Sequence, residues 1–176
     1  MQERRAVATL TGLTEPETDR RAPPAGAGRR LLVAASVAAG VVLVDQLTKW
    51  WAVDRLARGP IHVGWTLDLE LTRNTGSAFS LFQGDAAVLV LVALALLAGL
   101  VVLVRRSPST GRAAVLGLII GGALGNLADR LFRGTHGEVV DFVALHFWPT
   151  FNLADASIVV GCGLLVVSLA LEARTR

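Results

Sequence analysis

Carboxyl and amide side chains concentrate in one stretch of this chain, residues 121–155, where apolar segments end and begin. Asp141 stands in the apolar run 139–143, and Asp155 stands near the start of the last apolar segment. Ionisable groups in or beside membrane segments are costly, so their presence there is a functional-site hypothesis. Two carboxyls in a restricted, partly apolar site share a proton and activate water for peptide hydrolysis.

Other catalytic chemistries have fewer residues to draw on. The chain has no Gly-x-Ser-x-Gly motif, and Cys162 lies within an apolar segment. Lys49, the one lysine, has Asp45 as its nearest partner, which disfavours Ser–Lys chemistry. The spacing of the histidines matches no common metal-binding pattern. These are His62, His136 and His146. We therefore expect no metal site.

Helical spacing groups the polar residues of this stretch. Asn126, Asp129 and Arg130 lie at i, i+3 and i+4, so they share one helix face. Arg130 could hold either the carboxylate beside it or a substrate carbonyl. Asn152 and Asp155 are spaced as a helix N-cap and its third residue, a pattern that resembles a capping box. Asp155 is therefore open to a structural interpretation as well as a catalytic one.

A second polar group lies earlier, at the end of the first apolar segment. Asp45 and Lys49 are four residues apart with the acid first, the favourable order for a helical ion pair. Trp50 and Trp51 follow, as is typical of the end of a membrane span. The pair could be a neutralised pair at the depth of the lipid headgroups, or it could support an active site at that depth.

The composition indicates that the elements holding these polar groups are membrane spans. The 176 residues are 53% hydrophobic, and the mean hydropathy of +0.56 is too high for a soluble domain of this size. Glycines at every fourth position of the third apolar segment would let helices approach closely. The predicted spans are residues 31–52, 86–104, 113–128 and 156–171, and the glycines are Gly117, Gly121 and Gly125.

The segment between the first two spans predicts a small β element. Large apolar residues alternate with polar ones over 65–72, the pattern of a half-buried strand. Asn74 and Gly76 are typical turn residues, and 77–82 could return as a second strand. Residues 1–30 show no helical stripe and predict a disordered tail. Since Leu31–Val44 is followed by Asp45 and not by a small-residue cleavage site, we favour an uncleaved first span over a secretory signal peptide.

Positive charge predicts the orientation. The tail, the loop 105–112 and the C-terminus carry arginine with few acidic neighbours, so the positive-inside rule places both termini in the cytoplasm. The other loops then face outward. The polar residues gather near the outer face, and they are Asp45, Lys49, Asn74, Asn126, Asp129, Arg130, Asp141, Asn152 and Asp155.

Five blocks in this order make the sequence similar to the lipoprotein signal peptidase (signal peptidase II) family. They are Asp45-Gln-Leu-Thr-Lys49, Asn74-Thr-Gly-Ser-Ala-Phe79, Gly121-Gly-Ala-Leu-Gly-Asn126-Leu-Ala-Asp129-Arg130, Val139-Val-Asp141-Phe142 and Phe151-Asn152-Leu-Ala-Asp155. The resemblance runs from about Leu31 to the C-terminus. It implies a membrane all-α fold of four transmembrane helices with a small extracytoplasmic β-hairpin or sheet at about 61–83, in a domain of residues 31–176.

The resemblance also implies an activity, which is that of an aspartic endopeptidase of the bacterial cytoplasmic membrane. Such an enzyme cuts the signal peptide of a prolipoprotein just before a cysteine that carries diacylglyceryl. The catalytic pair maps onto Asp141 and Asp155, and the other seven polar residues named above map onto positions that shape the site or hold substrate. The resemblance implies no metal and no organic cofactor. Membrane lipid is the other expected partner, nucleic acid is not one, and the enzyme is expected to act as a monomer.

A small four-span transporter or proton-relay subunit is the alternative, and a non-catalytic assembly factor is a further one. A transport path needs polar groups throughout the membrane, whereas the interiors of spans two, three and four are almost wholly apolar. All the ionisable groups lie at one level, which favours cleavage at the membrane surface.

Overall fold

Four long helices form the body of the protein. The structure, a computed structural model, describes residues 26–75, 86–134 and 137–175. The helices are α1 (Ala27–Leu56), α2 (Ala86–Arg106), α3 (Thr110–Phe132) and α4 (Leu153–Arg174). All four are long and apolar enough to cross a membrane, and the outward sides of α2 and α4 expose large apolar residues such as Leu91 and Val159. This confirms the predicted four-span membrane architecture.

Helix α3 is the most buried of the four, and its glycines allow this. A Cβ on Gly117 would lie 2.7 Å from the carbonyl oxygen of Ala34, and one on Gly121 would lie 2.7 Å from Cβ of Val41. The predicted glycine stripe is therefore used within the chain, against α1. A second close approach, at Gly122, lies against α4 and was not predicted.

Helix α1 begins earlier than the sequence indicated. Residues 27–30, predicted as the end of a disordered tail, form the first turn of α1. Arg30 donates to the carbonyl oxygen of Ser107, just after α2, and this contact holds the start of α1 against the α2–α3 connection. Long arginine side chains can bury their stems while their charge reaches polar surroundings, so the helix can extend past the apolar run. The rest of the predicted tail, residues 1–25, lies outside the described residues.

A four-stranded antiparallel sheet lies at the end of the helices where α1 and α3 finish and α4 begins. Its strands, in spatial order, are β1 (Ile61–His62), β2 (Leu67–Asn74), β3 (Val139–Leu145) and β4 (Trp148–Phe151). Phe142 of β3 packs on Ala52 and Leu56 at the end of α1. This contact anchors the sheet on the helices.

The predicted β element is present, but its pairing differs from the predicted hairpin. Asn74 was expected in a turn and is instead the last residue of β2, where it pairs with Val139 of β3. The neighbours of β2 are β1 and β3, and the expected return strand, 77–82, lies outside the described residues. A period of two identifies a strand with one buried face, but it carries no information about the partner strand.

Candidate active site

Among the residues that the structure describes, five polar side chains are almost completely buried where the sheet meets the helices. Burying a charge costs several kcal/mol unless other groups pair with it and donate hydrogen bonds to it. The five are Asp45, Lys49, Asp129, Asp141 and Asn152, each at most 1% exposed. They come from α1, α3, β3 and the cap of α4, so the tertiary fold brings together the two polar groups that the sequence separates. Together with Asp155, which is half-buried, they form two layers that Asn126 and Asn152 connect.

The first layer is the carboxyl pair, Asp141 and Asp155. Nδ2 of Asn152 donates to Oδ1 of Asp141 at 2.7 Å, and Nδ2 of Asn74 donates to its Oδ2 at 3.0 Å. Nδ2 of Asn126 donates to Oδ1 of Asp155 at 2.8 Å, and the backbone N–H of Asn152 donates to its Oδ2 at 3.3 Å. Each carboxyl thus accepts two hydrogen bonds, and Asn152 contacts both.

Asn152 holds this position because it caps α4. Its Oδ1 accepts from the backbone N–H of Asp155 at 2.9 Å, which completes the predicted capping box. Such a cap stabilises a helix by about 1 kcal/mol. The two interpretations of Asp155 are therefore compatible, because one oxygen closes the capping box while the other is held by Asn126.

The environment of Asp141 favours its neutral form. Burial of this carboxyl raises the pKa of Asp141 from the usual 3.8 to about 6, and the negative charge of Asp155 adds to the rise. Hydrogen bonds from Asn74 and Asn152 act in the opposite direction. Two neighbouring carboxyls with one raised pKa are suited to sharing a proton.

The second layer, which we call the buried frame, is Asp45, Lys49 and Asp129. Nζ of Lys49 lies 2.9 Å from Oδ2 of Asp45 and 3.1 Å from Oδ2 of Asp129, and it donates to Oδ1 of Asn126 at 3.0 Å. The three side chains of the frame have no exposed surface. Asp45 and Lys49 are therefore not a solvated pair at the headgroup level, and they support the carboxyl pair through Asn126.

The buried frame also holds the backbone that carries the carboxyl pair. Oδ1 of Asp45 accepts from the backbone N–H of Ala154 at 3.0 Å, and Oδ2 of Asp129 accepts from that of Val140 at 3.1 Å. Val140 and Ala154 are the residues directly before the two carboxyls of the pair. The spacing of the pair therefore depends on two carboxylates that belong to other helices.

Arg130 lies at the same end of α3 but does not pair with Asp129. Asp129 is instead held by Lys49 and by Arg133. The one hydrogen bond recorded for the Arg130 guanidinium within the described ranges is a long one, 3.4 Å from Nη1 to the carbonyl oxygen of Asn126, and its buried Nε has no partner there. A buried donor without a partner is costly. Of the two roles considered for Arg130, the pairing with the neighbouring carboxylate is not seen in the described structure.

Sequence reasoning missed two members of the network, Gln46 and Arg133. Nε2 of Gln46 donates to Oδ1 of Asp129 at 3.0 Å and to Oδ2 of Asp45 at 3.2 Å. Its Oε1 accepts from Nη2 of Arg133 at 2.8 Å, while Nε of Arg133 lies 2.9 Å from Oδ1 of Asp129. The available signal for Arg133 was its i+4 spacing from Asp129, which places the two on one helix face.

Of the three histidines considered as metal ligands, His62 lies on β1 and His146 lies in the turn between β3 and β4. His62 contacts Oδ1 of Asp68 at 2.8 Å and His146 contacts Oδ2 of the same carboxylate at 3.2 Å. His136 lies outside the described residues. Across the ranges that the structure describes, no three His, Cys, Asp or Glu side chains are arranged to hold a metal ion.

Comparison with known proteins gives concordant matches. A sequence model of the family described as signal peptidase (SPase) II matches residues 37–171. A lipoprotein signal peptidase of Mycolicibacterium smegmatis is 45% identical over 92% of this chain and 72% of its own length. One from Rhodococcus jostii is 48% identical over 79% and 72%. A solved bacterial membrane enzyme superposes with a TM-score of 0.68 at 28% identity, over 81% of this chain and 92% of its own.

Proposed function

Because this chain belongs to the signal peptidase II family, we propose that Asp141 and Asp155 are its catalytic pair. The protein is an aspartic endopeptidase of the membrane that cleaves the signal peptides of prolipoproteins. The observation that carries the assignment is the carboxyl pair itself, two aspartates held by amide donors and joined through Asn152. The transporter alternative finds no support among the matched proteins.

The two carboxyls act in different protonation states. Asp155 stands in the first turn of α4, where the helix dipole and free N–H groups favour a negative charge. Burial raises the pKa of Asp141 to about 6, so this carboxyl holds a proton more readily than an ordinary one. Asp155 is then the base that activates water, and Asp141 is the acid that polarises the scissile carbonyl. The pair titrates as a coupled unit, so these roles describe microstates.

Hydrolysis follows from this arrangement. Asp155 takes a proton from water as the water oxygen bonds to the carbonyl carbon, and Asp141 gives its proton to the carbonyl oxygen. In the second step Asp155 gives its proton to the amide nitrogen while Asp141 takes a proton back from a hydroxyl of the diol. The C–N bond breaks, and a new carboxylic acid and a free amine leave. Each cycle consumes one water and restores the shared proton. The buried Nε of Arg130 is available to hold a carbonyl of the bound peptide.

We propose an outward-facing site in a bacterial cytoplasmic membrane. The frame, the carboxyl pair and the sheet all lie at one end of the helices. The other end of the helices is rich in arginine. It carries Arg105 and Arg106 of α2, Arg112 of α3 and Arg174 of α4. The positive-inside rule puts the arginine-rich end and both termini in the cytoplasm. Reporter fusions after Gly59 should report an outside location and fusions after Ser107 an inside one, and the reverse pattern would invert this orientation.

The substrate we propose is a prolipoprotein whose cysteine carries diacylglyceryl, cut just before that cysteine. A site at the level where spans end suits a bond that lies at the membrane surface beside a lipid anchor. The catalytic unit extends from Ala27 to the last helix and acts as a monomer without cofactor. Purified enzyme should cleave a lipid-modified prolipoprotein and leave the unmodified form largely intact. Equal cleavage of both would remove the lipid requirement without affecting the peptidase assignment.

The catalytic pair is tested by Asp141→Asn and Asp155→Asn, each with membrane insertion verified. Each change should lower cleavage by at least about a thousandfold, because one carboxyl cannot both donate and accept the shared proton. Asp54→Asn is the matched control, since Asp54 is a carboxyl near the same end of α1 that is 65% exposed. Substantial cleavage by either pair variant would end the proposal that these two aspartates are the catalytic pair.

A further inference from the structure

We propose that Arg133 is a positioning residue that sets the pH range of catalysis by neutralising the buried frame behind the carboxyl pair. The inference rests on the proposed roles of Asp141 and Asp155. It adds a residue that lies outside the five sequence blocks and contacts neither member of the pair in the hydrogen bonds of the described structure. Its effect is electrostatic and passes through Asp129.

Hydrogen-bond counting gives the charges of the frame. Asp45 accepts from Lys49, Gln46 and the Ala154 amide, and in each bond the partner is the donor. Asp129 accepts from four donors, two on each oxygen. Both carboxyls thus have the partners expected of ionised groups. The three protons of the Lys49 ammonium match its three acceptors, which are the two carboxylates and Asn126.

The frame alone therefore holds two negative charges and one positive charge. Arg133 supplies the second positive charge, with Nε 2.9 Å from Oδ1 of Asp129. Its Nη2 donates to Oε1 of Gln46 at 2.8 Å, and Gln46 in turn donates to both carboxylates. The guanidinium side chain is only 19% exposed, so water screens this pair less than a surface pair. With Arg133 in place the network is neutral.

The buried frame lies close enough to the carboxyl pair for a change in its charge to affect the protonation of the pair. Oδ2 of Asp129 accepts the backbone N–H of Val140, the residue before Asp141. Without Arg133 the frame would be net negative, and this charge would oppose loss of the proton that the pair shares. Among the described residues, the other charged groups that face the pair are Lys49 and Asp45 on α1 and Arg130 on α3.

Removal of the Arg133 charge leaves in place every side chain that contacts the carboxyl pair. Lys49 and Asp45 belong to the frame, and Arg130 is proposed to contact substrate. Arg73 lies on β2 between Thr72 and Asn74, so its side chain points to the opposite face of the sheet and is exposed. Arg133 is therefore the position at which charge can be changed without removing a group that contacts the pair.

The test is the pH dependence of kcat/KM for prolipoprotein cleavage by Arg133→Met, Arg133→Gln and Arg133→Lys. Loss of the charge in the first two should move both limbs of the profile to higher pH by about half to one unit. The lysine variant keeps the charge and should restore most of the original profile. Arg58→Met is the matched control and should leave the profile unchanged, because Arg58 forms an i,i+4 pair with Asp54 that is exposed on both sides.

The inference would be overturned if the methionine or glutamine variant is active and its pH profile of kcat/KM equals that of the parent. It would also be overturned if the profile of the lysine variant moves as far as the profiles of the two neutral variants. The glutamine variant retains a donor for Asp129 and covers the case in which the methionine variant does not fold. Asp141→Asn is measured in parallel. Cleavage by that variant would refute the proposed catalytic pair, whereas an inactive Asp141→Asn with unmoved Arg133 profiles would refute this inference alone.

Discussion

Asn152 donates from Nδ2 to Oδ1 of Asp141 over 2.7 Å, the shortest of the three contacts that this amide group makes. Its Oδ1 accepts a hydrogen bond from the backbone N–H of Asp155, and this hydrogen bond caps α4. One side chain therefore ends a strand-to-helix connection and fixes the relation between the two carboxyls. The capping motif of α4 is therefore part of the proposed active site.

Substitution of Asn152 should separate these two roles. Asn152→Ser keeps a good N-cap acceptor but has no amide that reaches Asp141. We expect thermal stability close to that of the parent and cleavage reduced by at least tenfold. Asn152→Ala should lose both activity and about 1 kcal/mol of stability. A serine variant with parental cleavage would show that the contact with Asp141 has no catalytic role.

Protonation of Asp141 should make stability depend on pH. Because its pKa is raised from 3.8 to about 6, the folded state binds a proton that the unfolded state does not bind between these values. Folding stability therefore falls as pH rises through this window, by up to about 3 kcal/mol. Asp141→Asn should remove the dependence and be the more stable protein above pH about 6, with no advantage below pH about 4. Thermal unfolding in detergent at several pH values measures this difference.

The exposed carboxyl of Asp54 is again the control, since Asp54→Asn should not alter the pH dependence of unfolding. A parent protein that is more stable than Asp141→Asn at neutral pH would mean that the folded state stabilises the ionised form of Asp141. That result would contradict the protonated role given to this carboxyl.

Loss of Lys49 alone should destabilise the fold more than loss of Lys49 together with its partner Asp45. Lys49→Met leaves Asp45 and Asp129 buried without their shared cation, which costs about 3–5 kcal/mol. The double variant Asp45→Asn/Lys49→Met removes one negative charge with the positive one and should recover part of that loss. Denaturant or thermal unfolding of the single and double variants gives the comparison. Equal stability of Lys49→Met and the parent would show that the frame tolerates uncompensated charge.

The close approach at Gly122 should matter for catalysis. A Cβ there would lie 2.4 Å from the carbonyl oxygen of Ala154, so Gly122→Ala must move α4 and with it the neighbouring Asp155. Since a displacement of about 1 Å can cost about a hundredfold in rate, we expect a loss of that order in kcat. Gly99→Ala is the control, because a Cβ on Gly99 has no atom within 4 Å. Parental activity in Gly122→Ala would show that the helix contact adapts without moving the site.

Local patterns were sufficient for those features that depend on neighbours in the chain. Long apolar runs predicted four spans, and the spacing of Asn152 and Asp155 predicted the capping box that the structure contains. The i,i+4 spacing of Asp45 and Lys49 predicted their ion pair. The glycine period predicted a close helix contact, because small residues at that interval must lie on one face.

Contacts between distant segments could not be derived in this way. Periodicity identifies the buried face of a strand but not its partner, so the pairing of β2 with β3 was missed and Asn74 was assigned to a turn. Likewise the spacing of Arg130 left open whether it holds a carboxylate or a substrate carbonyl, and only the tertiary structure shows that Asp129 is held by Lys49 and Arg133. Sequence by itself determined which residues are polar within membrane-spanning elements. Tertiary packing decided which of them meet, because burial requires every charge to find a partner wherever in the chain that partner lies.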